Sequence, residues 1–211
     1  MTDAAHSLQE PSADRRRARG NQSRAVVLEH AVAIASTEGL EGLTIGRLAA
    51  EAGVAKGNIQ VLFGDKEALQ LATVDWASAL VEAEIVTPAL AEPDPLKRLG
   101  LLVERWFAFV ESRRLPGGCF MNALASEYRC RPGAVRDRVS ARRAEKTARY
   151  AACVEEARAA GAVPADVDPQ QVAFELLAFQ AAANVAATIG DDACFARARE
   201  TSLRRVAQLR A

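Results

Sequence analysis

Glu51–Leu69 reads EAGVAKGNIQVLFGDKEAL, and its punctuation decides the fold. Ala52-Gly53 stops one helix, a helical stretch of about two turns follows, Phe63-Gly64-Asp65 stops again, and a longer helix then begins. A two-turn helix is barely stable alone, because its nucleation costs more than a few hydrogen bonds return. Half the residues of this chain are hydrophobic, so a core can be built without such a piece. The short helix is there to be displayed.

Residues 45–64 meet the steric demands of a helix-turn-helix. A small residue is required where the two helices cross, and Ala49 stands there; the turn requires positive φ, and Gly53 tolerates it. Leu48, Ala52, Val54, Ile59 and Leu62 are apolar at the core-facing positions. Lys56, Gly57, Asn58, Gln60 and Val61 are left facing outward, where such a helix enters a major groove. Asn58 and Gln60 offer paired donors and acceptors to base edges, and Val61 suits a thymine methyl. Gly57 allows close approach to a phosphate. Thr44, Arg47 and Lys66 lie at helix N-termini or on the flanking face and suit phosphate contacts, which set register rather than sequence. From Arg15 to Lys66 there are eight basic residues against five acidic ones, within a chain of zero formal net charge. The alternative, an ordinary packed helix pair around a glycine, explains neither the several constrained positions nor the adjacent basic run.

Residues 1–22 mix Ser, Pro, Ala and charge without periodicity and read as a disordered arm. The basic run Arg15, Arg16, Arg17, Arg19 and Arg24 is either a minor-groove arm or a solvated charge run. Helix signals then follow one another to the C-terminus with no strand-like alternation, so the expected fold is all-α with about nine helices. The first covers Ser23 to Glu38, with Val27, Ala31, Ile34 and Ala35 on one face. A fourth opens at Asp65 and ends near Pro88, with Leu69, Ala72, Trp76, Leu80 and Ala83 in one stripe; at about 33 Å it is long enough to join two domains. Leu96 to Arg114, Phe120 to Arg129, Ala134 to Ala160, Gln170 to Ile189 and Asp192 to Arg210 complete the set, with LPGGC at 115–119 as one break. The expected organisation is a DNA-binding head at 23–70 and a body at 71–211.

Within Val172–Ile189 only Glu175, Gln180, Asn184 and Thr188 are polar, and they form one narrow stripe. A helix apolar nearly all round needs a second cover. A homodimer through helices at about 170–189 and 192–210 supplies it, and a two-fold dimer predicts a palindromic DNA operator. For a small-molecule effector, Trp76, Trp106, Phe109, Met121, Phe174 and Leu177 are candidate walls of a cavity among helices four to eight. Asn122, Tyr128, Gln180 and Asn184 are its candidate polar anchors. Such walls suit a hydrophobic or amphipathic molecule.

Gly39, Thr44, LAAEAGVAKG at 48–57, Phe63 and DKEAL at 65–69 resemble the N-terminal signature of the tetracycline-repressor (TetR) family of transcriptional regulators, over roughly residues 24–72. The resemblance implies an all-α homodimer with a three-helix DNA-binding head and a divergent ligand-binding body. Carried over by position, Thr44 and Lys66 would hold phosphates and Lys56 to Val61 would form the recognition helix. Many members carry aromatic residues where this chain has Gln60 and Val61, and often histidine where it has Leu62. Aromatic stacking on the sugar-phosphate backbone is therefore missing, and the operator preference should differ.

No enzyme is expected: there is no nucleophile–histidine pair, no H-E-x-x-H and no glycine-rich phosphate loop. With only His6 and His30, and no C-x-x-C among four cysteines, neither a metal site nor a cofactor is indicated. Cys119 and Cys130 bracket the short sixth helix, either as thiol sensors or as inert cysteines. Arg136, Arg138, Arg142, Arg143, Lys146 and Arg149 read as a solvated helix face rather than a second nucleic-acid surface. No secretory h-region and no clean membrane span are present, which points to the cytoplasm. The expected protein is a dimeric, ligand-responsive repressor, with activation left open by operator position. The alternative is a small-molecule-binding or interaction protein that has lost DNA recognition, against which Thr44, Asn58, Gln60 and Lys66 speak.

Overall fold

The computed structural model describes residues 13–210, and nine helices with no strand account for its regular structure. α1 (Ala13–Glu38), α2 (Ile45–Glu51) and α3 (Lys56–Phe63) make the head. α4 (Lys66–Val81) leaves it and continues through a π-helical turn at Glu82–Val86 into Thr87–Leu90. α5 (Pro95–Glu111), α6 (Phe120–Glu127), α7 (Ala134–Ala159), α8 (Pro169–Ile189) and α9 (Asp192–Ala207) complete the body.

α1 begins ten residues before the expected Ser23, so residues 13–22 are helical rather than a disordered arm. Alanine and arginine are strong helix formers, and extending an existing helix is cheap once its nucleus is formed. Residues 1–12 of the expected arm, and the side chains of Arg15, Arg16, Arg17 and Arg19, lie outside the described residues. Arg24 is a packing residue: its guanidinium donates to the Leu62 carbonyl at 2.7 Å and lies 4.3 Å over the Phe63 ring, clamping α1 to α3. Val27, Ala31, Ile34 and Ala35 are buried as expected, and they close on Leu43, Leu48 and Ile59.

α4 packs on α1 along one side and α7 along another. It therefore buries Leu69, Thr73, Val74 and Ala77 instead of the single expected stripe, and Ala83 is exposed. In α5 the expected face holds throughout: Leu99, Leu102, Val103, Trp106 and Val110 are all buried. Phe107 meets the rings of Trp106 and Phe195 edge-on at 5.0 and 5.5 Å, tying α5 to α9.

α8 is apolar on its buried side, where Val172, Ala173, Leu176, Ala183 and Ala186 pack, and in part on its exposed side as well. Gln180 and Asn184 are buried, while Phe174, Val185 and Ile189 are 66%, 58% and 73% exposed. Among the described residues it is the one helix long and apolar enough to cross a bilayer, yet it packs in the body against α7 and α9. The apolar face of α9, expected at a dimer interface, is spent within the subunit, where Phe195, Val206 and Leu209 are buried.

Candidate functional site

The outward face of α3 is built by the two turns that flank it. Thr44 N-caps α2, its hydroxyl accepting from the Arg47 N–H at 3.2 Å. α2 ends in a Schellman arrangement: the Val54 N–H donates to the Ala49 carbonyl at 3.0 Å and the Gly53 N–H to Ala50 at 3.3 Å, with Gly53 at φ +65°. The reversal carries the chain back across α2, and only Ile59 and Phe63 of α3 become buried. Lys56, Gly57, Asn58, Gln60 and Val61 are exposed together, Val61 at 87%. Nothing lies within 4 Å of where a Cβ on Gly57 would stand. The flanking cations are exposed but engaged, Arg47 with Glu38 and Lys66 with Glu41 at 2.9 Å.

Head and body meet at the C-terminal end of α6. The Glu127 carboxylate accepts from the backbone N–H groups of Leu40 and Glu41, both at 3.0 Å, just past the end of α1. Tyr128 donates its phenol to Glu41 at 3.1 Å, and Gln70 of α4 donates to the Leu40 carbonyl at 3.1 Å. Lys66 above all, with help from Gln70 and Tyr128, holds the Glu41 carboxyl below its usual range. Behind this, the 115–119 loop touches α1 so closely that a Cβ on Gly117 would lie 1.7 Å from the Ser36 carbonyl oxygen. Tyr128, expected to anchor a ligand, is thus a joint between the two parts.

The other end of α6 borders a cavity of about 390 Å³ among α4, α5, α6, α7 and α8. Trp106, Met121, Asn122 and Leu177 line it, as expected. Its wall on α4 includes Ile85 and Val86 from the π-helical turn, a feature often found at functional sites. Gln180 stands behind the lining and accepts from Lys146 Nζ at 2.6 Å while donating to the Tyr150 hydroxyl at 3.0 Å. Four other expected wall or anchor residues are elsewhere. Trp76 packs half-buried against the core, Phe109 is buried in α5, and Phe174 is on the outer face of α8. Asn184 accepts from the Cys119 N–H at 2.6 Å and borders a second cavity, of about 650 Å³, shared with Asn122.

α7 supplies the residues missed. Arg142, Arg143, Lys146, Arg149 and Tyr150 line the cavity; Arg143 is exposed as expected of a solvated face, whereas Arg142, Lys146 and Arg149 are half-buried. Val135 and Val139 are buried before it and Tyr150, Cys153 and Ala157 after it. Positions 142, 146 and 149 continue that same stripe at helical spacing, and this was the available signal: cations where the period calls for apolar residues. Burial pushes the Asp75 carboxyl up, but Arg138 and Arg142 outweigh it and hold the group below its usual range. Arg142 also meets Glu145 at 2.9 Å, and Arg149 meets Glu82 at 3.2 Å. Burial pushes the Lys146 ammonium down to about 8, with Arg143 and Arg149 adding to the effect and Cys119 opposing it. Cys119 is buried on the cavity wall and Cys130 is exposed; all four cysteines are unbridged.

Residues 27–73 match the family described as bacterial regulatory proteins, tetR family, and residues 95–202 match the tetracyclin repressor-like C-terminal domain. The chain belongs to the TetR family of transcriptional regulators. No curated protein sequence matches it significantly. Among solved structures, a TetR transcriptional regulator from Chloroflexus aurantiacus J-10-FL superposes with a TM-score of 0.84 at 24% identity, over 92% of this chain and 98% of that one. A TetR-family regulator from Cytophaga hutchinsonii gives 0.81 at 18% identity, over 92% and 97%. AibR, solved in complex with isovaleryl coenzyme A and operator DNA, gives 0.62 at 20% identity, over 75% and 84%. At these identities the likeness carries the fold.

Proposed function

We propose that this chain is a dimeric, ligand-responsive repressor that reads a palindromic operator through α3 and releases it when an effector fills the body cavity. The observation that carries the reading is the open face of α3, where Asn58, Gln60 and Val61 stand exposed beside Lys56 and Gly57. Asn58, Gln60 and Val61 read base edges; Thr44, Arg47, Lys56 and Lys66 hold phosphates; Gly57 lets the backbone come close. A second reading, loss of operator recognition, has one fact in its favour: Arg47 and Lys66 are already paired with carboxylates. Both pairs are nearly half exposed, and such pairs contribute about 0–1 kcal/mol, too little to withhold either cation from a phosphate.

The exposed line of Phe174, Val185 and Ile189 on α8 supports pairing with a second copy, a symmetric cover for an apolar patch. α6 is the natural transmitter, since its first turn borders the cavity and its last residues hold Leu40 and Glu41 of the head. An effector that moves α6 need favour the released state by only about 1–3 kcal/mol.

Selection of genomic fragments by the purified protein, followed by footprinting, tests the reading. The expected result is a protected palindrome with half-sites about one helical turn apart. On that operator, Lys66→Ala weakens binding to every sequence alike, whereas Gln60→Ala relaxes preference at one or two base pairs, worth about 1–3 kcal/mol of discrimination. Binding with no sequence preference by the wild-type, ligand-free protein would favour the second reading.

A further inference from the structure

Three buried side-chain polar atoms lack a hydrogen-bond partner among the described residues: Trp106 Nε1, Asn122 Nδ2 and Arg142 Nε. All three are N–H donors, and all three residues line the same cavity. Buried polar groups are almost always partnered, so orphans of one polarity gathered in one place describe the thing that is to fill it. Trp106 is only 3% exposed, so bulk solvent does not serve its indole.

The charges in the wall agree. Its three carboxylates, Asp75, Glu82 and Glu145, are each already paired with a guanidinium. Among the described residues Lys146 has no carboxylate partner; its Nζ donates to the neutral Gln180 and lies 5.2 Å from the Trp106 ring and 5.6 Å from that of Tyr150. An ammonium has three donors, and the amide oxygen takes one. Water can satisfy an orphan N–H but brings no charge to answer a half-buried ammonium.

We propose that the cavity takes an organic anion, whose acidic group meets Lys146 and the orphaned donors, and whose apolar body lies against Ile85, Leu102 and Leu177. This rests on the effector reading and narrows it to a chemical class. A cavity of about 390 Å³ sits near the lower end of the roughly 300–1,000 Å³ that small-molecule sites span. A carboxylate, sulfonate or phosphate supplies the several acceptor lone pairs in charge-assisted bonds. A cation would be repelled, and a neutral hydrocarbon would leave the donors as they are.

The test is a matched pair of dyes with one apolar body: 1-anilinonaphthalene-8-sulfonate and its neutral parent N-phenyl-1-naphthylamine. Each is titrated by fluorescence into the full chain. The sulfonate is expected to bind about tenfold tighter or more, a preference that Lys146→Met abolishes while the neutral dye still binds. Trp106→Phe, which deletes an orphaned N–H without changing charge, lowers the preference in part. Equal affinity of the two dyes for the wild-type chain, or an undiminished preference in Lys146→Met, overturns the anion and leaves the effector cavity standing. Binding of neither dye overturns the cavity's role and the anion with it.

Discussion

The head and the body of this protein use polar residues in opposite ways. In the head, α1, α2 and α3 turn apolar residues inward around Leu43, Leu48 and Ile59, and the polar residues of α3 face out, toward DNA in the reading proposed. In the body two helices add polar residues to a mostly apolar buried face. α8 buries Gln180 and Asn184 and exposes Phe174, Val185 and Ile189; α7 puts Arg142, Lys146 and Arg149 on the wall of a cavity. A fold gains nothing from burying charge, since desolvation usually offsets what the pairing returns. In the reading proposed, a second copy covers the exposed apolar line of α8 and an effector answers the cations of α7.

The largest effect that would sharpen this contrast comes from two phenylalanines. Phe107→Ala opens the α5–α9 contact and should cost about 3–5 kcal/mol in denaturant unfolding. Phe174→Ser, on the outer face of α8, should leave the fold of the subunit intact but weaken self-association in sedimentation equilibrium. If Phe174→Ser destabilised a dilute subunit as much as Phe107→Ala, the outward reading of α8 would be broken.

Two glycines come next. Gly117→Ala places a methyl against the Ser36 carbonyl and should destabilise by about 1–3 kcal/mol, because backbone on both sides must shift. Gly57→Ala meets nothing and replaces glycine within a helix, so it should stabilise the head by up to about 1 kcal/mol while weakening DNA binding. A Gly57→Ala chain bound as tightly as wild type would remove the close backbone approach assigned to that position.

A smaller effect, readable in pH, distinguishes the buried cation. Lys146 is held at about 8 in the fold against 10.5 for the free side chain, so the folded state binds fewer protons between those values. Its contribution to stability therefore rises with pH across that window. Arg142, Arg143, Glu145, Arg149 and Tyr150 of α7, Cys119 just before α6, Asp75 of α4 and Glu82 of the π-helical turn face the same cavity. Tyr150 and Cys153 have raised values and act in the opposite sense, but they are common to both chains in a comparison with Lys146→Met. Thermal unfolding should show Lys146→Met more stable than wild type below pH 8, with the gap closing as pH rises. The smallest effect belongs to the exposed Arg47–Glu38 pair, where Glu38→Gln should change stability by less than about 1 kcal/mol.

Legibility followed the physics of each region. The turn at Gly53, the cap at Thr44 and the exposed set on α3 were readable because local steric rules govern them within a few residues. α5 was readable because its buried residues, Leu99, Leu102, Val103, Trp106 and Val110, recur at the 3.6-residue period. α4 was read less well: α1 and α7 share it, and its π-helical turn has no marker in a periodicity of 3.6. Of the expected ligand residues, Trp106, Met121, Asn122 and Leu177 line the cavity, whereas Phe109 and Tyr128 do not. An aromatic residue in a buried helix carries no local sign of whether its neighbour is core or void.

By itself, then, the sequence determined the all-α class, the helix boundaries to within a turn beyond α1, and the outward residues of α3. These depend on backbone preferences and on spacing along one chain. Tertiary structure alone decided which side of α8 is inside, which end of α6 holds the head, and that Lys146 lines a cavity. Burial is a property of what packs around a residue, and six helices must meet before that is known.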